Sequence, residues 1–428
     1  MCVTEVIPPQ PTVESVRTSA WGVPNFRRLW LGSTASWFGS EIGELAIPLL
    51  AIITLSASAA EVGLLRTAQF LPFLLATLPL GLLVDRRARR PLMITADLGR
   101  FVLIALIPLG VWAGLTQMQP LYVVVFAAGL FTVLYQLADF AFVPCVVPPA
   151  VLIDANGKLA AAQSANEIAG KGVGGLIVGA LTAPVAVLIN SGTYLFSALN
   201  LMRITVDEPV PPRPRAHRSL RHEVGEGLGV ALRNRYVRPL LGEATTFNFC
   251  NEIFILGLLL YAVRDLTLHP AQIGLVFTAG GLGSFLGAWF GARATGRFGY
   301  GRVLLVTLVL GNTAPAGVVF LGGSDAAILT TLCGLFLVMG VGIGIANVHA
   351  VSLRQTSVPA ELRGRVNAAY RLISWGAIPL GAGLGGALAS ALGGHTAMVI
   401  GALAMPSATL WVAASRVRGL ATIYDAQD

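Results

Sequence analysis

The chain is two copies of one pattern. Displaced by 210 residues, its first half falls on its second. Arg28, Leu31 and Gly32 fall on Arg238, Leu241 and Gly242, and Gly81 falls on Gly291. Pro149 and Leu152 fall on Pro359 and Leu362, and Gly175 falls on Gly385. Gly81 and Gly291 each open a polar, basic stretch between two long apolar runs. One spacing held over the whole length means two units of the same kind in the same orientation.

The units are built for lipid. Apolar residues make up 55% of the 428 residues and charged residues only 12%, about half the usual share in a soluble protein. A single hydrophobic core stops growing beyond roughly 250–300 residues. Runs long enough to cross a bilayer as helices fall at 29–53, 61–84, 92–114, 120–144, 161–182, 184–203, 239–263, 270–294, 302–322, 326–351, 362–391 and 395–415. Glycine, alanine and polar residues dilute the fifth and eleventh. The runs are longer than barrel strands and lack strict alternation, so they read as helices. The expected fold is an all-α membrane protein of twelve transmembrane helices in two six-helix halves. A polar tail occupies 1–24, the halves 25–203 and 236–416, a linker 204–235 and a second tail 417–428. The linker carries Pro209, Pro211, Pro212 and Pro214, then an amphipathic piece around Leu220–Leu232 that reads as an interfacial helix.

Basic residues set an orientation. Of 29 Lys and Arg, 24 fall in the tails and in loops that twelve spans would place on one side, Arg264 being the clear exception. The positive-inside rule makes that side, with both termini, cytoplasmic. The net charge of +8 then reports topology and contact with anionic lipid, and does not point to nucleic acid. The 27 Arg against 2 Lys fit a GC-rich bacterial genome, hence a bacterial inner membrane. Four scattered cysteines and five histidines without paired spacing argue against a disulfide framework, a metal site or any cofactor. No Gly-rich loop ending in Gly-Lys-Ser/Thr occurs, which argues against ATP as energy source. Parallel repeats of membrane helices are the architecture of secondary transporters, whose halves rock about a central site.

The loop after the second span reads GLLVDRRARRP, Gly81 to Pro91. It resembles the loop signature of the major facilitator superfamily at Gly81, Asp85, Arg86, Arg89 and Arg90. Ala88 stands where that signature has a second glycine, which is expected to stiffen the turn. The second-half loop keeps Gly291 and Arg297 but has Thr295 in place of the acid. PNFRRLWLG at Pro24–Gly32 and VPAELRGRVNA at Val358–Ala368 resemble the branch of macrolide and siderophore exporters. The resemblance implies a monomeric transporter, and a loop that acts as a conformational latch, with Asp85 pairing with arginine or capping a helix. Asp97 and Arg100, an i, i+3 pair in the third span, are expected to support it. The fifth span, NEIAGKGVGGLIVG from Asn166 to Gly179, resembles the family's glycine-rich antiporter motif, with Lys171 in place of the proline that kinks it. The arginine-bearing signature of the fourth helix is absent, since no arginine lies between Arg100 and Arg203.

Ionisable residues inside spans are candidates for function by default. Glu41 and Glu44 share one face of the first span, with no base in that span beyond Leu29. In the family fold the first, fourth, seventh and tenth helices line the cavity. The fourth span carries Asp139, and the seventh Asn248, Asn251 and Glu252. Arg66 lies in the outer part of the second span, within reach of the outer cavity. Glu167 precedes Lys171 by four residues, so the two either neutralise each other or Lys171 faces the cavity. His349 reads as an interfacial polar residue, and Arg371 as a weaker candidate. The expected function is proton-coupled efflux of a drug-like compound, natural product or siderophore, and no enzymatic activity. Uptake by symport on the same fold, and a membrane receptor or assembly partner without a transport cycle, are the alternatives.

Overall fold

A computed structural model describes residues 19–114, 117–206, 208, 220–359 and 362–426. The N-terminal tail before residue 19 and the proline-rich part of the linker lie outside the described residues. Among those described there is no strand. The first half is α1 (Pro24–Leu49), α2 (Ala59–Arg86), α3 (Arg89–Trp112), α4 (Met118–Val146), α5 (Leu152–Ala180) and α6 (Ala183–Met202). A linker helix, α7 (Leu220–Arg233), leads to α8 (Val237–Arg264), α9 (Pro270–Phe298), α10 (Tyr300–Thr313), α11 (Asp325–Ser357) and α12 (Arg363–Leu392). The last span is broken into α13 (Gly394–Ala404) and α14 (Ser407–Ala413) at Met405–Pro406, where proline removes a donor from the helix.

Eleven of the twelve crossings are long and apolar enough to span a bilayer on length and hydropathy. The other is α5. Its 29 residues are long enough, but Asp154, Lys158, Glu167 and Lys171 lower its hydropathy. It runs as one continuous helix, with Lys171 in place of the motif's proline.

The repeat is visible in the helix starts. Ala59 and Pro270, Arg89 and Tyr300, Leu152 and Arg363, and Ala183 and Gly394 are each 211 positions apart. The starts of α2 and α9 even share a capping box. The Ser58 amide donates to Glu61 Oε2 at 2.7 Å, and the His269 amide to Gln272 Oε1 at 2.8 Å. At these four starts the register is thus one residue longer than the 210 read from the sequence.

Helices pack densely within each half, and the halves meet mainly along two seams, α2 on α12 and α5 on α9. These seams are repeat equivalents, and glycine sets their closeness near the ends away from the basic loops. A Cβ on Gly63 would stand 2.6 Å from Gly386 Cα, and one on Gly175 2.7 Å from Gly274 Cα. Only glycine permits such backbone contact. Arg264, the basic residue on the wrong side by charge counting, hydrogen-bonds the Ala57 carbonyl of the first half at this same end. Toward the basic loops, Gly81 of α2 faces open space.

Gly63→Leu is therefore expected to insert normally but to keep this seal from closing. A cysteine pair at Thr67 and Gly383, whose positions touch across the seam at 3.5 Å, should cross-link in the parent and lose most of that cross-linking in the leucine variant.

Candidate functional site

The charges of the spans converge on one chain of ion pairs. Arg66 of α2 forks onto Glu252 of α8, Nε to Oε1 at 2.7 Å and Nη2 to Oε2 at 3.1 Å. Its Nη2 also lies 3.7 Å from Glu44 Oε1 on α1. Lys171 Nζ of α5 lies 3.3 Å from Glu44 Oε2 and 3.5 Å from Glu41 Oε2. The order is Glu252, Arg66, Glu44, Lys171, Glu41, three carboxylates against two bases. Arg66 and Glu252 are each only 4% exposed.

Three expectations change here. Lys171 does not pair with Glu167, which accepts from Gln163 at 3.2 Å instead. The reason is packing. A Cβ on Gly170 would sit 2.4 Å from Glu41 Cβ, so α1 and α5 nearly touch and the neighbouring lysine meets both α1 carboxylates. Glu41 is accordingly not unpaired. Arg66 is not at an open outer cavity but buried between the halves.

Two cavities meet at this cluster. One, of about 380 Å³, has Glu41, Glu44, Arg66 and Lys171 on one wall and Phe277, Phe336 and Met339 on the other. The second, of about 1170 Å³, extends to Asn156, Arg354 and Asn367, at the ends bearing the basic loops. Glu41, Glu44 and Glu167 line both. With the far end sealed by the seams, the central carboxylates are reached from the basic side. Asn251 lines the smaller cavity, its buried Oδ1 without a partner. Asn248 serves packing as well as the larger cavity, donating to the Ser374 carbonyl of α12 at 2.8 Å.

This arrangement of two repeated bundles about a central polar site has counterparts. The sequence matches the family model of the Major Facilitator Superfamily over residues 29–382, and again over 244–421. The chain belongs to the Major Facilitator Superfamily. It is a multi-pass membrane transporter, not an enzyme. It is 27% identical over 385 residues to the MFS-type transporter YfiS of Bacillus subtilis, covering 87% of this chain and 88% of that one. To the multidrug efflux pump Tap of Mycolicibacterium fortuitum it is 27% identical over 389 residues, covering 88% and 91%. To macrolide efflux protein A of Streptococcus pyogenes it is 25% identical over 393 residues, covering 86% and 90%. Among solved structures, the nucleoside transporter NupG matches with a TM-score of 0.73 at 12% identity, covering 91% of this chain and 99% of that one. A bacterial homologue of the iron transporter ferroportin, in an inward-facing state, matches at 0.70 and 18%, covering 91% and 98%. At these identities the structures speak for the shared fold alone.

Within this major facilitator fold the remaining candidates separate by place. Asp97 and Arg100 are paired and buried. Arg100 lies between the rings of Tyr135 and Tyr194, 4.4 and 4.3 Å from their centres, and donates to Ser36 at 3.1 Å. These partners sit on α1, α4 and α6, so the pair braces the first half from inside, and no residue of the basic loop is among them. Asp139 accepts from Ser33 at 3.1 Å and lines the larger cavity. His349 is not interfacial. It is 4% exposed and joins α11 to α9 through Thr295 Oγ1 at 2.6 Å. Arg371 hydrogen-bonds Gln136 across the halves.

In the loop, Asp85 and Arg86 are exposed at the end of α2. The start of α3 is capped by Glu208 of the linker, which accepts from the amides of Arg89 and Arg90 at 2.5 and 3.2 Å and pairs with the Arg89 guanidinium at 3.6 Å. Arg90 donates to the carbonyls of Leu201 and Met202, at the end of α6, at 2.9 and 2.7 Å. Ala88 has φ −59° and ψ 132°, ordinary extended backbone, so the missing glycine does not strain this turn. Sequence reasoning passed over two carboxylates. Glu208 is hidden in a polar linker. Glu243, which lines the larger cavity and accepts from Asn312 at 3.3 Å, follows from the same rule that picks out Glu252, an ionisable residue in an apolar run.

Arg100→Met leaves Asp97 buried without its partner and is expected to cost about 3–5 kcal/mol. Thermal unfolding in detergent reads this as a large drop in midpoint. The double variant Arg100→Met with Asp97→Leu should recover most of the loss, as befits a brace.

Proposed function

We propose that the protein exports a small organic compound from the cytoplasm in exchange for protons, by alternating access. The observation that carries this reading is the charge count at the junction of the two cavities. Three carboxylates meet two bases, and Glu167 lines the same space. Within the chain of pairs itself one negative charge is left over. A proton or a cationic cargo neutralises it, and the two then compete for one place. Competition of that kind is what antiport requires. Glu41 ends the chain of pairs and shares Lys171, its only base among the described residues, with Glu44, so it is the carboxylate that takes the proton. The apolar wall of Phe277, Phe336 and Met339 suits the body of an organic cargo. The names of Tap and macrolide efflux protein A support export as the direction.

The larger cavity faces the basic loops, which the positive-inside rule assigns to the cytoplasm. The structure is then the state that loads cargo from inside. The loop from Gly81 to Arg90 lies at the ends that must come together when that cavity shuts, so we assign it the latch. A cysteine at Ser219, a linker position outside the described residues, should resist an impermeant maleimide applied to intact cells, while one at Ser56 should react. The reverse pattern would overturn the orientation. Asp85→Asn should leave expression intact and slow transport, and wild-type rates would remove the latch from the account.

Glu41→Gln keeps shape and hydrogen bonding but cannot release a proton. In proteoliposomes with an imposed pH gradient and a macrolide or ethidium as cargo, it is expected to abolish uphill accumulation while downhill exchange persists. A glutamine variant that concentrates cargo as well as the parent would dismiss Glu41 as the coupling group.

A further inference from the structure

We propose that the central ion-pair chain has two registers, and that the carboxylate without a base of its own, which carries the proton, is Glu41 while the seal away from the basic loops is closed, and Glu252 when that seal opens. In the closed arrangement Arg66 serves Glu252 and Lys171 serves Glu44 and Glu41. In the open one Arg66 passes to Glu44 and Lys171 to Glu41, which gives up its proton to water, and a proton from water in the opened cavity binds a carboxylate oxygen of Glu252. The charge total is the same in both registers. Only the address of the proton changes, from the first half to the second. The proposal rests on the alternating access assigned above, and goes beyond it in naming the lock and its key.

Five observations support it. The Arg66–Glu252 fork is an ion pair across the two halves, joining residues 186 positions apart. It stands beside the seal, since the neighbouring Thr67 donates to the Pro379 carbonyl of α12 at 3.1 Å. Glu252 is itself packed on α12, where a Cβ on Gly381 would lie 3.2 Å from Glu252 Cβ. The seam therefore cannot part without drawing Arg66 away from Glu252. A substitute acceptor is already in place, Glu44 at 3.7 Å on the same half as Arg66. Glu252 has no substitute. Arg66 is its sole ion-pair partner among the described residues.

The other charged groups facing this space are Glu44, Glu41, Lys171 and Glu167, all from α1 and α5 of the opposite half. From its own half α9 offers Ser284, α11 offers Phe336 and Met339, and α12 offers Gly381, none of them charged. A carboxylate stranded there must be neutralised before the seal can open, because breaking a buried pair leaves an uncompensated charge.

The experiment needs no cargo. Spin labels at Ala60 and Leu392, on either side of the seal in a cysteine-free chain held in nanodiscs, report the open fraction by pulsed electron resonance. Glu252→Gln is expected to raise the long-distance population about tenfold at pH 7.5, and Glu44→Gln to lower it, because Arg66 then has nowhere to go. Acidification to pH 5.5 should open the parent and leave Glu252→Gln unchanged. An unchanged distribution in Glu252→Gln, both variants moving the same way, or a pH response that survives in Glu252→Gln would each overturn the proposal. Should Glu252→Gln fail to fold, the pH response of the parent and the sign of Glu44→Gln still decide. Loss of proton-driven export in Glu41→Gln bears on the function reading and does not touch this result.

Discussion

A charge at bilayer depth must be answered by another charge, and the centre of this protein is organised by that requirement. Arg66 could not sit 4% exposed between two bundles without Glu252 gripping it from across the gap. Lys171 could not stand in the fifth span without two glutamates on α1. Such pairs add little net stability when made, but leaving one half of a pair alone is strongly unfavourable. They therefore act less as glue than as conditions on which arrangements of the two halves are allowed.

The glycine seams supply the complementary half of the design. Backbone contact at Gly63 with Gly386 and at Gly175 with Gly274 gives a close seal at points where backbone meets backbone. Each bundle is braced internally. In the first half this is the work of Arg100 between two tyrosines, and of Arg90 and Glu208 tying α3 to the end of α6 and to the linker. In the second, Asn312 joins α8, α10 and α14 through Glu243 and Thr409.

Much of this was legible in the chain itself. Hydropathy finds the spans because each helix must satisfy its own backbone in lipid, and the repeat finds the two halves because both copies fold alike. What could not be read was partnership. Glu252 and Arg66 are recognisable as intramembrane charges, yet nothing local says that they meet across 186 positions. The i, i+4 rule put Glu167 beside Lys171, but the absence of a side chain at Gly170 brought a neighbouring helix nearer than the next turn of its own. The offset of 210 is one short at the four helix starts that share a common spacing, since a comparison of residues does not see where a helix begins.

The two halves share a backbone plan but not a distribution of charge. To the charged lining of the central cavity the first half contributes Glu41, Glu44, Arg66, Glu167 and Lys171, whereas the second contributes Glu252 alone. Motion of the second bundle relative to the first therefore carries at most one elementary charge through the low-dielectric centre. A membrane voltage of 100 mV can bias that step by no more than about 2.3 kcal/mol. A proton on Glu252 reduces the bias to nothing, so the same event that frees the bundles to move also makes their motion electrically silent.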